Sequence, residues 1–205
     1  MSTEKRKKKI KSGIILMTLG LLIISAAGGL FAFNRINDKK AGETARVIYD
    51  AVVNNTGDVE YRINSKSERV ALIDGVECIG ILSVPSYDIT LPVQSDWDMD
   101  KLQYSPCRYS GSVTGGSLII CAHNYQSLFG MLKYMQVGDK IRFTDMMGMT
   151  YTYAVSETEL LGAYDINEMK QDDGWDLTLF TCTYGGAQRV TLRCVRVDVD
   201  QHLDQ

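Results

Sequence analysis

Histidine is scarce in this chain: its 205 residues contain two, His123 and His202. Chemistry that needs an imidazole has two places to take it from. His202 stands in a polar tail at the end of the sequence, where geometry is hard to enforce. No C-x-x-C spacing occurs among the five cysteines, Cys78, Cys107, Cys121, Cys182 and Cys194. That argues against a thioredoxin-like redox pair and a zinc knuckle. A metal site built from Cys121, His123 and Cys182 lacks the usual ligand spacing, and none is expected. An odd cysteine count leaves at least one thiol unpaired if the others bridge within the chain. Internal repeats and low-complexity tracts are missing. Positive charge is short where nucleic acid would need it. Beyond residue 40, 13 Lys/Arg face 23 Asp/Glu, a balance of −10. A nucleic-acid partner would need a basic face, so none is expected, and the acidity reads as solubility.

The first 40 residues reverse that balance, with nine Lys/Arg against two Asp/Glu. Residues 1–12 carry the cluster Lys5-Arg6-Lys7-Lys8-Lys9 and Lys11, and residues 13–33 then run without a charge. At about 1.5 Å per residue, such a helix spans roughly the 30 Å hydrocarbon layer. Lys and Arg favour the cytoplasmic side, which predicts a cytoplasmic basic tail, a transmembrane anchor over 13–33 and the main domain outside the cell. Ser25-Ala26-Ala27 offers the small residues of a cleaved signal peptide, but Leu30, Phe31 and Phe33 continue the apolar run and favour an uncleaved anchor. No second apolar span follows.

Residues 34–75 read as a helical and linker arm. Ala45, Ile48, Tyr49 and Val52 are spaced for one helical face within 37–53, and the polar stretch 54–66 reads as a linker. From residue 76 to 205 the pattern is that of one β-rich domain. VECIGILSVPSYDITLPV gives two strands broken at Pro85-Ser86. Residues 117–121 form a buried apolar strand, and 140–144 and 150–155 form strands around Met147-Gly148. Residues 124–135 suggest a short helix capped by Asn124, with Leu128, Leu132 and Met135 inward. Residues 164–175, with Asp165, Asp172 and Asp173, are long and acidic for a connection. Frequent strands with one or two short helices indicate an all-β barrel or sandwich.

The chemistry concentrates in residues 178–189, TLFTCTYGGAQR. A short apolar strand ends on Cys182, Tyr184-Gly185-Gly186 reverses the chain, and RVTLRCVRV returns from Arg189. Upstream, LIICAH ends on His123. Thiol, imidazole and guanidinium suit a nucleophile, an acid/base and an oxyanion clamp. A thiol attacks as thiolate, and Arg189 and a protonated His123 are the cations that would favour that form. Arg193 shares strand parity with Arg189 but lies about 13 Å further along, and Arg196 faces the other way. Cys194 should point into the core, and Cys121 should pack near His123. Cys78 and Cys107 carry no assigned role.

Thr178-Leu179-Phe180-Thr181-Cys182 resembles the TLxTC signature of the sortases. Cys121-Ala122-His123-Asn124 is similar to their histidine segment, usually Ala-Gly-His, and Arg189 stands at their arginine. The resemblance covers roughly residues 76–199. It implies a closed eight-stranded barrel and a membrane-anchored cysteine transpeptidase that needs no cofactor; no carboxylate cage for the calcium of some sortases is evident. It implies a substrate of the LPxTG kind, the sorting signal of secreted surface proteins, and an amine acceptor from a cell-wall precursor or a pilin lysine. Thr181 takes a supporting or substrate-facing role, and Asn124 and Tyr125 are candidates for the cleft. Without a C-terminal anchor, and with His123 and Cys182 close in sequence, a housekeeping or accessory class is favoured over a pilin polymerase. An L,D-transpeptidase or other cysteine peptidase is the competing enzyme, but the Ser-x-Gly-Cys segment of the former is missing. A non-catalytic, tethered wall-binding barrel is the third reading.

Overall fold

Cross-strand pairing turns these short runs into one sheet. The computed structural model describes residues 3–54, 59–64, 68–73, 75–170 and 174–197. Its strands are β1 (Val59–Ile63), β2 (Arg69–Ile73), β3 (Val76–Val84), β4 (Ile89–Gln94), β5 (Cys107–Ser112), β6 (Gly116–Cys121), β7 (Lys140–Asp145), β8 (Thr150–Gly162), β9 (Leu177–Cys182) and β10 (Gln188–Arg196). They pair in the order β1-β2-β3-β4-β5-β6-β9-β10-β8-β7. β7 returns to β3, from Gly80↔Asp145 to Ser83↔Arg142. The eight strands from β3 to β7 therefore form a closed barrel, the all-β fold expected from the sequence. β2 takes the other part of the same β3 edge, with Ala71 opposite Cys78. Two pairings are parallel, β4 with β5 and β6 with β9.

The chain divides into two units, residues 1–39 and 40–205. Helix α1 (Thr3–Asn54) supplies all that is described of the first. From Gly13 onward it contains a window long and apolar enough to cross a membrane. Its side chains from Ile14 to Phe33 are exposed, as a lipid-facing segment requires.

In the second unit the end of α1 turns Ala41 and Ala45 into the main core, a spacing of four that keeps both on one face. Ile48 and Ala51 join a smaller cluster with Ala71, Ile73, Cys78 and Met146. The barrel interior is filled by Leu82, Leu118, Ile120, Phe143, Leu177 and Leu192, all essentially inaccessible. Each such side chain contributes roughly 1.5–3 kcal/mol relative to exposure.

Several local expectations change. The stretch 54–66 is not all linker, because its described part contributes β1. Arg69 stacks over Tyr61 at 4.8 Å and Arg62 pairs with Glu77 at 2.5 Å, which holds this polar strand against the sheet. Residues 124–135 make turns and a 3-10 segment, Leu132–Tyr134, rather than an α-helix. Residues 128–132 are buried in unbroken succession, which one helical face does not allow. Gly130 N–H bonds to the Tyr125 carbonyl at 2.8 Å, an approach that a side chain at 130 would block. β8 runs on to Gly162, well beyond Val155, because it stays paired with β10 over that length and Glu159 meets a basic partner there, Arg193. The connection 164–175 carries one short helix, α2 (Ile166–Met169). Asp172, Asp173 and His202 lie outside the described residues. Pro85 opens a 3-10 turn between β3 and β4, closed by Asp88 at φ +53°.

Candidate active site

β6 and β9 run side by side, and each delivers one reactive group at its end. β6 finishes at Cys121, with His123 two residues on. β9 finishes at Cys182 itself. Two hydrogen bonds fix these ends together. Ala122 N–H donates to the Phe180 carbonyl at 3.3 Å, and the Thr181 hydroxyl donates to the Ala122 carbonyl at 2.7 Å. The residues preceding His123 and Cys182 are thus bonded directly, although far apart in sequence.

Arg189 arrives through the hairpin. Gly185 and Gly186 both have positive φ, +89° and +77°, which a side chain would resist. Thr183 and Gln188 bond across the loop, and Arg189 is then set directly opposite Cys182 in the register. Its Nη1 donates to the carbonyls of Gly186, at 2.9 Å, and Gln188, at 3.2 Å. The loop therefore holds the guanidinium in place.

His123, Thr181, Cys182 and Arg189 all line one cavity of about 310 Å³. One flank is an aromatic row. Phe180 meets Tyr109 edge-on with centroids 5.3 Å apart, and Tyr109 meets Trp97 at 6.2 Å. The lining also includes Ala163, Ile166 and Met169. Asn124 and Tyr125 are not among the lining residues. Tyr125 packs against the core, its ring 5.3 Å from that of His123.

The five thiols differ. All are free, and Cys182 alone is not buried. Burial pushes Cys78 and Cys107 up to about 12, and raises Cys121 and Cys194 as well. These four are poor nucleophiles near neutral pH, because the thiolate is the attacking form. Cys121 packs beside Cys107, Leu102 and Phe180 in a small cluster that forms part of the cavity lining, and Cys194 sits in the barrel core. Burial also lowers the pKa of His123, since a half-buried ring resists charge. Desolvation favours the neutral ring, which can accept a proton.

Among the rival arginines, Arg193 is buried against Glu159 at 2.6 Å and Arg196 stacks over Tyr151 at 4.6 Å; neither lines the cavity. The described residues include no cluster of three or more His, Cys, Asp or Glu suited to a metal ion. Sequence reasoning missed Phe180 as a lining residue, although it shares strand parity with Cys182. It missed Trp97, Met99 and Met169 for want of any local signal.

The model of the Sortase domain matches residues 82–197, more than half of the chain. No curated protein gives a significant match. Solved structures share the fold. Sortase A from Corynebacterium diphtheriae is 23% identical, with a TM-score of 0.56 over 80% of this chain and 86% of that one. Sortase C from Clostridium perfringens SM101 is 19% identical, with a TM-score of 0.55 over 85% of this chain and 99% of that one. The Clostridium perfringens Sortase D5 transpeptidase is 18% identical, with a TM-score of 0.53 over 59% and 79%. With the match to the Sortase domain set beside a closed eight-stranded barrel, this chain belongs to the sortase family.

Proposed function

We propose that this sortase cleaves a sorting signal of the LPxTG kind and transfers the acyl part to an amine, with Cys182, His123 and Arg189 as catalytic residues. The supporting observation is that the one incompletely buried cysteine shares a cavity with a half-buried histidine and a loop-held arginine. Neutral His123 takes the thiol proton of Cys182. The sulfur then attacks the carbonyl carbon of the scissile peptide bond, and the electron pair moves onto oxygen. Arg189 stabilises that oxyanion, donating a charge-assisted hydrogen bond that strengthens as the charge develops. On collapse the C–N bond breaks, and the proton held by His123 goes to the leaving amine. The thioester is then attacked by an incoming amine whose proton His123 removes, and a new amide forms as the Cys182 sulfur departs.

The acceptor is a cell-wall precursor or a pilin lysine, so the product is a surface protein attached to the wall or to a pilus. The basic residues before position 13 remain cytoplasmic and the barrel lies outside. Thr181 holds the histidine and cysteine strand ends together.

The test is Cys182→Ala in the full chain, incubated with sorting peptides and amines and read by mass spectrometry. Cleavage and the thioester adduct should both disappear, whereas retained cleavage would refute the nucleophile. Product analysis with and without added amine separates transfer from hydrolysis.

A further inference from the structure

Arg193 is 4% exposed, unusual for an arginine, and the reaction proposed above does not use it. Its guanidinium reaches three elements. Nε donates to Glu159 on β8 at 2.6 Å. Nη1 donates to the Met169 carbonyl at 3.0 Å and to the Thr178 hydroxyl on β9 at 3.2 Å. Nη2 donates to the Glu168 carbonyl at 2.5 Å. The two carbonyls belong to the last residues of α2; that of Glu168 also receives the Lys170 N–H, and Arg193 supplies a further donor to each. The carbonyls arrive from a segment whose residues Ile166 and Met169 line the cavity.

That segment is otherwise shaped by bonds to itself. Asp165 accepts the Gly162 N–H at 2.7 Å, and the Met169 N–H reaches the Asp165 carbonyl at 3.0 Å. Such bonds set its curvature; its placement on the barrel comes from the pairing of Gly162 with Gln188 at one end, from Lys170 over the Tyr109 ring at 5.3 Å at the other, and from Arg193 between them. The planar fork of an arginine meets four acceptors at fixed angles, which a lysine cannot reproduce.

We infer that Arg193 is a positioning residue. It pins residues 162–169 to the outer face of β8, β9 and β10, and so fixes the cavity wall against which the substrate packs. The substrate part of this inference rests on the transpeptidase reading; the pin itself does not.

The experiment compares the full chain with Arg193→Gln, Arg193→Lys and Glu159→Gln by hydrogen exchange and by transpeptidation kinetics. In Arg193→Gln, exchange across 163–170 should accelerate about tenfold or more while β3 and β4 keep their protection. KM for the peptide should rise about tenfold, with a smaller change in kcat, because lost wall placement weakens binding before chemistry. Alkylation of Cys182 by a small neutral reagent should keep its rate. Arg193→Lys should recover part of the KM and little of the protection. Unchanged exchange at 163–170 in a folded Arg193→Gln variant would overturn the pin. If that variant does not fold, Glu159→Gln decides: loosening confined to 163–170 supports the pin, and uniform or no loosening overturns it. A parent enzyme that turns over no sorting peptide would sink the transpeptidase reading, while the exchange data would still judge Arg193.

Discussion

Replacing Thr181 by valine tests how the site is held together. Thr181 is 3% exposed, and its hydroxyl donates at 2.7 Å to the carbonyl of Ala122, itself buried and next to His123. Valine keeps the β-branched shape that a strand favours and deletes the donor alone. The Ala122 carbonyl loses that bond where water has little access, which costs about 1–3 kcal/mol. A domain with roughly 5–15 kcal/mol of stability remains folded. The bond joins the residue before Cys182 to the residue before His123, so its loss should reach activity more than stability. Urea unfolding should show a loss of about 1–2 kcal/mol, and kcat/KM should fall about tenfold or more, since each 1.4 kcal/mol of lost transition-state stabilisation is tenfold. Thr181→Ser is the control, because it keeps the hydroxyl and loses a methyl. It should be destabilised to a similar degree, by about 1 kcal/mol, yet retain most of the activity. Equal activity in the valine and serine variants, or a valine variant within about twofold of the parent, would refute the reasoning.

Three further outcomes are expected. His123 has a folded-state pKa below its unfolded value, so its neutral form is the one that folding favours; its contribution is complete above the unfolded value near 6.5 and is lost as pH falls through the folded pKa. Urea titrations between about pH 5 and 7 should therefore show stability falling with acidity, and His123→Gln should flatten that slope; identical slopes would contradict it. A thiol-directed probe on the folded chain should label Cys182 first, and Cys182→Ala should leave almost no fast-reacting thiol, because the other four are buried and raised; fast labelling that survives the substitution would show that another cysteine is accessible. Gly111→Ala should cost about 2–4 kcal/mol by thermal or urea unfolding, because φ is +72° and a methyl would strike the Ser117 carbonyl; a near-neutral effect would mean that the irregular pairing of β5 with β6 there relaxes freely.

Much of the barrel was legible because its signals are local. Pro85 marks the β3–β4 break, Gly185-Gly186 marks the hairpin, and apolar runs mark β6 and β9. The three proposed catalytic side chains stand out by residue type at strand ends, and the family resemblance carries most of their assignment. What escaped depends on partners remote in sequence. Glu159 looks unlike a strand residue until Arg193, 34 positions later, pairs with it. Arg108 looks like a surface residue in a polar stretch, yet it is buried because Glu68 and the Ser95 carbonyl receive it. The helix read over 124–135 failed for a related reason: its apolar residues fit a helical face, but the barrel end needs every side chain from 128 to 132 buried.

The parallel contact of β6 with β9 spans 59 residues, bridged at its end by Thr181 and Ala122. Between those strands the chain must lay down β7 and the whole of β8. A polypeptide that has not yet paired β6 with β9 therefore does not hold Cys182 and His123 together. The cleavage proposed above would have to wait until the β6–β9 pairing closes the barrel.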